Sequence, residues 1–235
     1  ACLQELDVDV MHEFRLAGEQ LVLPQLADMC LCGLEDLEEP EGEVSHFLVE
    51  LHRLPALAHL AIYGHTQYSC TGLPGCTQLE TLKIDLSTAA GRESAQQLAQ
   101  QVPPGVKELH VWLDAADSVA SMAGWLGCMP PGTRQQLTRL ASNRTAVLGP
   151  HLAALPHLRD LHICRQSVGQ LQPEQREQLS RMPGLRRLSF ASGYQPEENC
   201  TAAVRDAGIQ VSMKLLPACL SLTPPLAWSL MSRSC

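Results

Sequence analysis

The stretch Leu-Pro-Ala-Leu-Ala-His-Leu-Ala-Ile at residues 54–62 returns as Leu-Pro-His-Leu-Arg-Asp-Leu-His-Ile at residues 155–163. In both, a proline stands two residues ahead of the frame Leu-x-x-Leu-x-Ile, carried by Leu57, Leu60 and Ile62 and again by Leu158, Leu161 and Ile163. The end of each copy alternates apolar and other residues, the period of a strand with one buried face. A formula written twice about a hundred residues apart predicts a repeated structural unit with further copies along the chain.

Moving outward, the frame Leu-x-x-Leu-x-apolar recurs at Leu3-Leu6-Val8, Leu26-Met29-Leu31, Leu79-Leu82-Ile84, Val106-Leu109-Val111 and Leu185-Leu188-Phe190. A weaker copy, Leu137-Leu140-Ser142, ends on a polar residue. The central residues fall at 6, 29, 60, 82, 109, 140, 161 and 188, in steps of 23, 31, 22, 27, 31, 21 and 27. Prolines hold the same place before the frame at Pro24, Pro55, Pro104, Pro156 and Pro183. Proline cannot continue a helix and pushes its predecessor toward extended geometry, so each marks where the strand begins. Five prolines in one register argue against a generic leucine-rich domain with chance periodicity.

Between the frames lie helical patterns. Val44, Phe47, Leu48, Leu51 and Leu54 fall on one helical stripe, as do Ala95, Leu98, Ala99 and Val102, and more loosely Val119, Met122 and Leu126. Residues 174–182 after Pro173 predict a short helix. A last strand is expected at 209–213, after a helix-like stretch at 201–207 that Gly208 would cap. A strand, a turn and a helix cannot cover their own apolar face, and stacking such units buries it in a continuous core.

This frame resembles the leucine-rich repeat family over about residues 1–212. The family pattern ends on an asparagine whose amide bonds along the turn between repeats. Here that position holds Met11, Leu34, His65, Ser87, Asp114, Thr145, Gln166 and Gly193. The resemblance therefore implies a divergent member with irregular turns, similar to the ribonuclease-inhibitor-like and F-box-associated branches. It implies an α/β solenoid of eight or nine irregular repeats over residues 1–213, a curved parallel sheet inside and helices outside, with 214–235 as a cap or disordered tail.

Composition bounds the function. At 45% hydrophobic and only 4% aromatic, the core must be aliphatic, and a net charge of −8 with no long basic run argues against a nucleic-acid partner. The apolar stretch 215–231 is broken by Pro217, Pro224 and Pro225, and no membrane association is expected of it. The chain opens on Ala1 with no signal-peptide pattern, and reads as a fragment or processed product whose N-terminal part is missing. Its ten cysteines include no Cys-x-x-Cys pair, and they read as mostly free thiols in a cytoplasmic setting. Asn143-Arg144-Thr145 and Asn199-Cys200-Thr201 fit the short glycosylation sequon.

If the leucines point inward, the residues between them face the other way, onto the concave sheet where such solenoids hold ligands. The candidate protein-binding residues on that face are Asp7, Asp9, Asp28, Tyr63, Lys83, Asp85, His110, Trp112 and His162. The N-terminal end is acidic, and the middle carries aromatic residues typical of interface anchors. Trp112 either anchors a partner or is covered by a neighbouring loop and serves packing. His110, His162 and Cys164 raise a metal or nucleophile reading. The copy around Leu140 should stand between the two histidines, putting their rows about twice the strand spacing of roughly 4.8 Å apart. The acidic run Glu35, Asp36, Glu38, Glu39, Glu41 and Glu43 lacks the calcium-loop pattern and reads as a solvated loop. No phosphate loop, nucleophile elbow or zinc helix motif occurs, so no catalytic residue, metal or cofactor is expected. The expectation is a monomeric, non-enzymatic scaffold or adaptor that binds protein partners. Two alternatives stand beside it: the substrate-recognition part of an F-box-type ubiquitin ligase, or a structural component of a cytoskeletal or ciliary axoneme assembly.

Overall fold

Alternating leucines with polar residues between them form strands when a neighbouring strand is there to accept their backbone groups. A computed structural model describes residues 3–10, 13–16, 23–33, 45–64, 66–87, 89–113, 118–143, 148–163, 173–191 and 208–214. Among these the strands are β1 (Glu5–Val10), β2 (Glu13–Leu16), β3 (Asp28–Gly33), β4 (Ser45–Glu50), β5 (His59–Gly64), β6 (Thr66–Thr71) and β7 (Thr81–Asp85). Helix α1 (Ala89–Ala99) is followed by β8 (Glu108–Trp112), α2 (Ser118–Cys128), α3 (Pro131–Gln136) and β9 (Arg139–Ser142). The chain then forms β10 (Asp160–Ile163), α4 (Pro173–Ser180), β11 (Arg187–Ala191) and β12 (Gln210–Lys214).

Nine strands form one parallel sheet in the order β1-β3-β5-β7-β8-β9-β10-β11-β12. Leu6, Met29, Leu60, Leu82, Leu109, Leu140, Leu161, Leu188 and Val211 lie in one register across it. These are the central residues of the sequence frames, with the expected ninth strand added. The tail expected from 214 lies outside the described residues apart from Lys214, which closes β12. The expected helix at 201–207 and the acidic run at 35–43 also lie outside them.

Five strands of the long sheet, β3, β5, β8, β10 and β11, begin in the same way. The Leu57 N–H donates to Leu54 O at 3.1 Å, closing a turn with Pro55 in its second position. Leu26 to Leu23, Val106 to Pro103, Leu158 to Leu155 and Leu185 to Met182 repeat it around Pro24, Pro104, Pro156 and Pro183. The fixed φ of proline suits that position. One carbonyl per unit then accepts two N–H groups from the next, as Ala27 O does from Ala58 at 2.8 Å and His59 at 2.9 Å. Between the end strands the inward residues behind this ladder, among them Leu57, Leu60 and Ile62, are buried. Each such side chain is worth roughly 2 kcal/mol of burial.

The outer layer differs from expectation in its first units. The apolar stripe at 44–54 is not a helix: it is β4 followed by a 3-10 turn at Leu51–Arg53. Phe47, Val49 and Leu51 are the buried residues there, a period of two that coexists in the sequence with the helical spacing. Pairing decided the outcome, because β2, β4 and β6 form a second parallel sheet that satisfies their backbones. From β6 onward the outer layer is helical, with α1 against β6 and α2 against α1. Ser94 on α1 accepts the Tyr68 N–H of β6 at 3.1 Å, and so closes a sheet edge with a helix. Trp125 on α2, buried, donates its indole N–H to Ala95 O of α1 at 2.8 Å. The helices expected from Ala95 and Leu98, from Val119 and after Pro173 are α1, α2 and α4. Packed helices need about 8–10 Å each where strands need about 4.8 Å, so the helical units bend the stack and leave the long sheet concave.

Candidate functional site

The unburied side of the long sheet is built from the residues between the leucines. Register sorts them into columns. The first column holds Glu5, Asp28, His59, Thr81, Glu108, Arg139, Asp160, Arg187 and Gln210. The second holds Asp7, Cys30, Ala61, Lys83, His110, Ala141, His162, Ser189 and Ser212. The third brings Asp9 beside Cys32, Cys32 beside Tyr63, and Asp85 beside Trp112. All nine candidate residues therefore share this face.

The small residues of the face are not open to solvent as expected. Ala61 and Ala141 are only 8% and 6% exposed, and Thr81 and Ser189 are buried too. Ala141 lies between His110 and His162 in register, and Ala61 between Cys30 and Lys83, so larger neighbours on both sides cover them.

The aromatic residues converge. Tyr63 on β5 and Trp112 on β8 reach over β7, which separates them, to form an edge-to-face pair with ring centroids 4.8 Å apart. The His110 ring lies nearly parallel to the Trp112 ring, centroids 6.2 Å apart. His110 donates Nε2–H to Glu108 Oε1 at 2.8 Å, which orients the imidazole, since an ionised carboxylate only accepts. That hydrogen bond is the main reason the Glu108 carboxyl is held at about 2; burial opposes it, and the charges of His110 and Arg139 assist it. The Trp112 indole nitrogen is shielded from solvent and has no hydrogen-bond partner.

Beyond Trp112 the first column is a self-neutralising ladder of alternating sign. Arg139 reaches Glu108 at 3.4 Å on one side and Asp160 at 3.3 Å on the other. Arg187 grips Asp160 with two hydrogen bonds, at 2.6 and 2.8 Å. Burial pushes the Asp160 carboxyl up, but the hydrogen bonds from Arg187 and Arg139 outweigh it and leave it below the ordinary carboxylate range. This ladder is legible in the sequence once the frames are aligned, because the first outward residue of four successive units reads Glu, Arg, Asp, Arg.

On the first strands no such balance exists. Glu5, Asp7 and Asp9 are exposed and make no ion pair among the described residues. Asp28 lies 3.8 Å from His59. Asp85 accepts the Ser87 N–H at 2.7 Å, and Lys83 stands next to His110.

His110 and His162 are two strands apart with Ala141 between them, as the frame order implies. Among the described residues no group of three or more His, Cys, Asp or Glu could hold a metal ion. Burial, with the nearby Asp7 and Asp9 charges adding to it, raises the Cys30 thiol to about 12 and Cys32 to about 11, so both stay protonated and unreactive at neutral pH. The described cysteines Cys30, Cys32, Cys70, Cys76 and Cys128 are free thiols; Cys164 lies outside the described residues. Among those residues no helix is long and apolar enough to cross a membrane.

Asn143 is a residue whose role the sequence reading missed. It stands after the short strand β9, where its side-chain oxygen accepts the Leu113 N–H at 2.8 Å and its amide nitrogen donates to Leu113 O at 3.0 Å. The amide nitrogen that a glycan would need is thus engaged in holding two units together. Asn143 thereby clamps the unit of β9 to that of β8. The second sequon lies outside the described residues.

Neither a family model nor a curated protein sequence matches the chain. Among solved structures it is similar to the crystal structure of the leucine-rich repeat-containing protein LegL7 from Legionella pneumophila. The identity is 12%, the TM-score 0.41, and the match covers 86% of this chain and 90% of that one. At that distance the likeness adds nothing to the register already described. The leucine frames on their single parallel ladder make the fold a leucine-rich-repeat solenoid.

Proposed function

We propose that the chain is a protein-binding module, a scaffold or adaptor that holds its partner on the concave face around Tyr63 and Trp112. The observation that carries this is the edge-to-face pair itself: two large, half-buried aromatic side chains drawn together across an intervening strand, on the sheet face opposite the described outer strands and helices. Trp and Tyr in such a setting are the usual anchors of protein interfaces, each worth about 2 kcal/mol or more.

The test is selection of a random linear peptide library on the wild-type chain, followed by binding of the recovered peptides to a Tyr63→Ala/Trp112→Ala double variant. Loss of binding in a variant with an unchanged melting profile supports the groove. Full retention of binding overturns it.

Narrower roles rest on the family resemblance alone. Recognition of substrates for an F-box-type ubiquitin ligase would require the three-helix F-box elsewhere in the full open reading frame. A structural place in a cytoskeletal or axonemal assembly, or a diffuse cytoplasmic location, would be separated by imaging the tagged full-length protein.

A further inference from the structure

The two residues between the first and second leucines of each frame line the rim where the strands of the long sheet begin. From β7 to β11 the second of them belongs to the first column already described: Thr81, Glu108, Arg139, Asp160 and Arg187. The residue ahead of each is Glu80, Lys107, Thr138, Arg159 and Arg186. Their carbonyls fix the rim. Lys107 O accepts the Thr138 and Arg139 N–H groups, Thr138 O those of Arg159 and Asp160, and Arg159 O those of Arg186 and Arg187, all at 2.8 to 3.1 Å. Neighbours along the rim are thereby held one strand spacing apart, about 4.8 Å.

Charged neighbours on this part of the rim are of opposite sign, with one exception. Lys107 pairs with Glu80 at 2.7 Å, Arg139 with Glu108 and Asp160, and Arg187 with Asp160. The exception is Arg159 beside Arg186. Both side chains are exposed, and neither makes an ion pair among the described residues. Asp160, next to Arg159 in sequence, does not serve them, since it already accepts two hydrogen bonds from Arg187 and one from Arg139. Like charges facing each other on adjacent strands are destabilising, so the fold holds together here two cations that an anion would relieve.

We propose that Arg159 and Arg186 form a binding site for a short acidic peptide segment, whose side-chain oxyanions, carboxylate or phosphoryl, they take on their guanidinium groups. The planar fork of a guanidinium matches either oxyanion with two parallel hydrogen bonds. Acids at i and i+2 of an extended segment lie on one side of it about 6.6 Å apart, close enough for one to meet each arginine. The size of the patch selects against a nucleic acid. From β9 to β11 is two strand spacings, about 10 Å. Beyond β8 the same rim carries Glu5 and Asp28, and the whole chain has a net charge of −8. A phosphate backbone needs a longer row of cations than this and would run on into those acids. The arginines stand at the entry to their strands, whereas Tyr63 and Trp112 lie toward the far ends of theirs, so the two sites can fail separately.

Fluorescence anisotropy at low ionic strength tests the site. The probes are a labelled peptide of four glutamates flanked by glycines, the same peptide with phosphoserine at two of the four, its lysine counterpart, and oligothymidylate. Arg159→Gln/Arg186→Gln breaks no ion pair among the described residues, so its melting profile should match that of the wild type. The wild type is expected to bind the acidic peptides and not the lysine one, and the tighter of the two acidic peptides identifies the source of the oxyanion. Affinity should fall about tenfold in the double variant and part of the way in Arg159→Gln or Arg186→Gln alone. It should hold in Arg15→Gln, which removes one exposed positive charge from β2 in the outer layer, and in Tyr63→Ala/Trp112→Ala. Failure of the wild type to bind either acidic peptide would overturn the site. So would binding that is unchanged in the double variant, or that falls equally in Arg15→Gln. Tighter binding of oligothymidylate through the same arginines would overturn the peptide as its ligand.

Discussion

Glu108 sits where the two halves of the concave face meet, taking a hydrogen bond from His110 and an ion pair from Arg139. Its folded carboxyl lies at about 2 against an ordinary value of 4.5. A depressed folded value means the stabilisation is complete above the ordinary value and is lost as pH falls toward the folded one. Glu108→Gln is therefore expected to be less stable than the wild type above about pH 4.5, with the gap closing progressively and gone near pH 2. Urea unfolding at a series of pH values reads it, and a gap that stayed constant down to pH 2 would contradict the assignment. At this scale the sequence was informative about columns and silent about reach. Register alone puts Glu108, Arg139, Asp160 and Arg187 in one line. It does not say that Tyr63 and Trp112, two strands apart, turn toward each other across β7, because that depends on side-chain rotamers. Nor does it say that Asn143 folds back onto Leu113, which follows from β9 ending after Ser142.

Among the elements, the outer layer changes from strand to helix between β6 and α1, and Ser94 is the hinge of that change. Its hydroxyl is the acceptor for the Tyr68 N–H at the last edge of the outer sheet, and both residues are buried. Ser94→Ala leaves that N–H without a partner and is expected to cost about 1–3 kcal/mol. The specific readout is hydrogen exchange at the Tyr68 amide, which should quicken in the variant; unchanged exchange there would show that the bond is not what closes the edge. The switch also explains the one element that sequence spacing misassigned. At 44–54 the residues satisfy both a helical stripe and a period of two, and nothing local separates them. The deciding partner, β6, is 21 residues further along the chain, as Ser45 opposite Thr66 shows, so the choice was made by tertiary pairing. The helices α1, α2 and α4 were legible because no second sheet continues past β6 to compete for their backbones.

As a whole, the molecule is a one-dimensional stack in which each strand of the long sheet bonds only to the next. Damage in the middle should therefore cost more than damage at an end. Leu109, fully buried on the central strand β8, is expected to cost about 2–5 kcal/mol when changed to Ala. Leu6 on β1 is only partly buried, with Leu3 beside it 47% exposed, and Leu6→Ala should cost a fraction of that in the same urea titration. Equal losses would contradict a stack and indicate a single undivided core. The period of the leucine frame made this architecture readable, since the backbone register follows the frame centres from Leu6 to Val211 with one ninth strand added. What the face binds was not readable in the same way, because it depends on which outward residues are neutralised by neighbours and which are left over. The measurement that bears most directly on this is hydrogen exchange of the wild-type chain with and without a peptide recovered from the library. Protection confined to β5, β7 and β8, around Tyr63, Asp85 and Trp112, is expected; protection on the outer helices α1 and α2 with none on those strands would contradict a concave-face binding module.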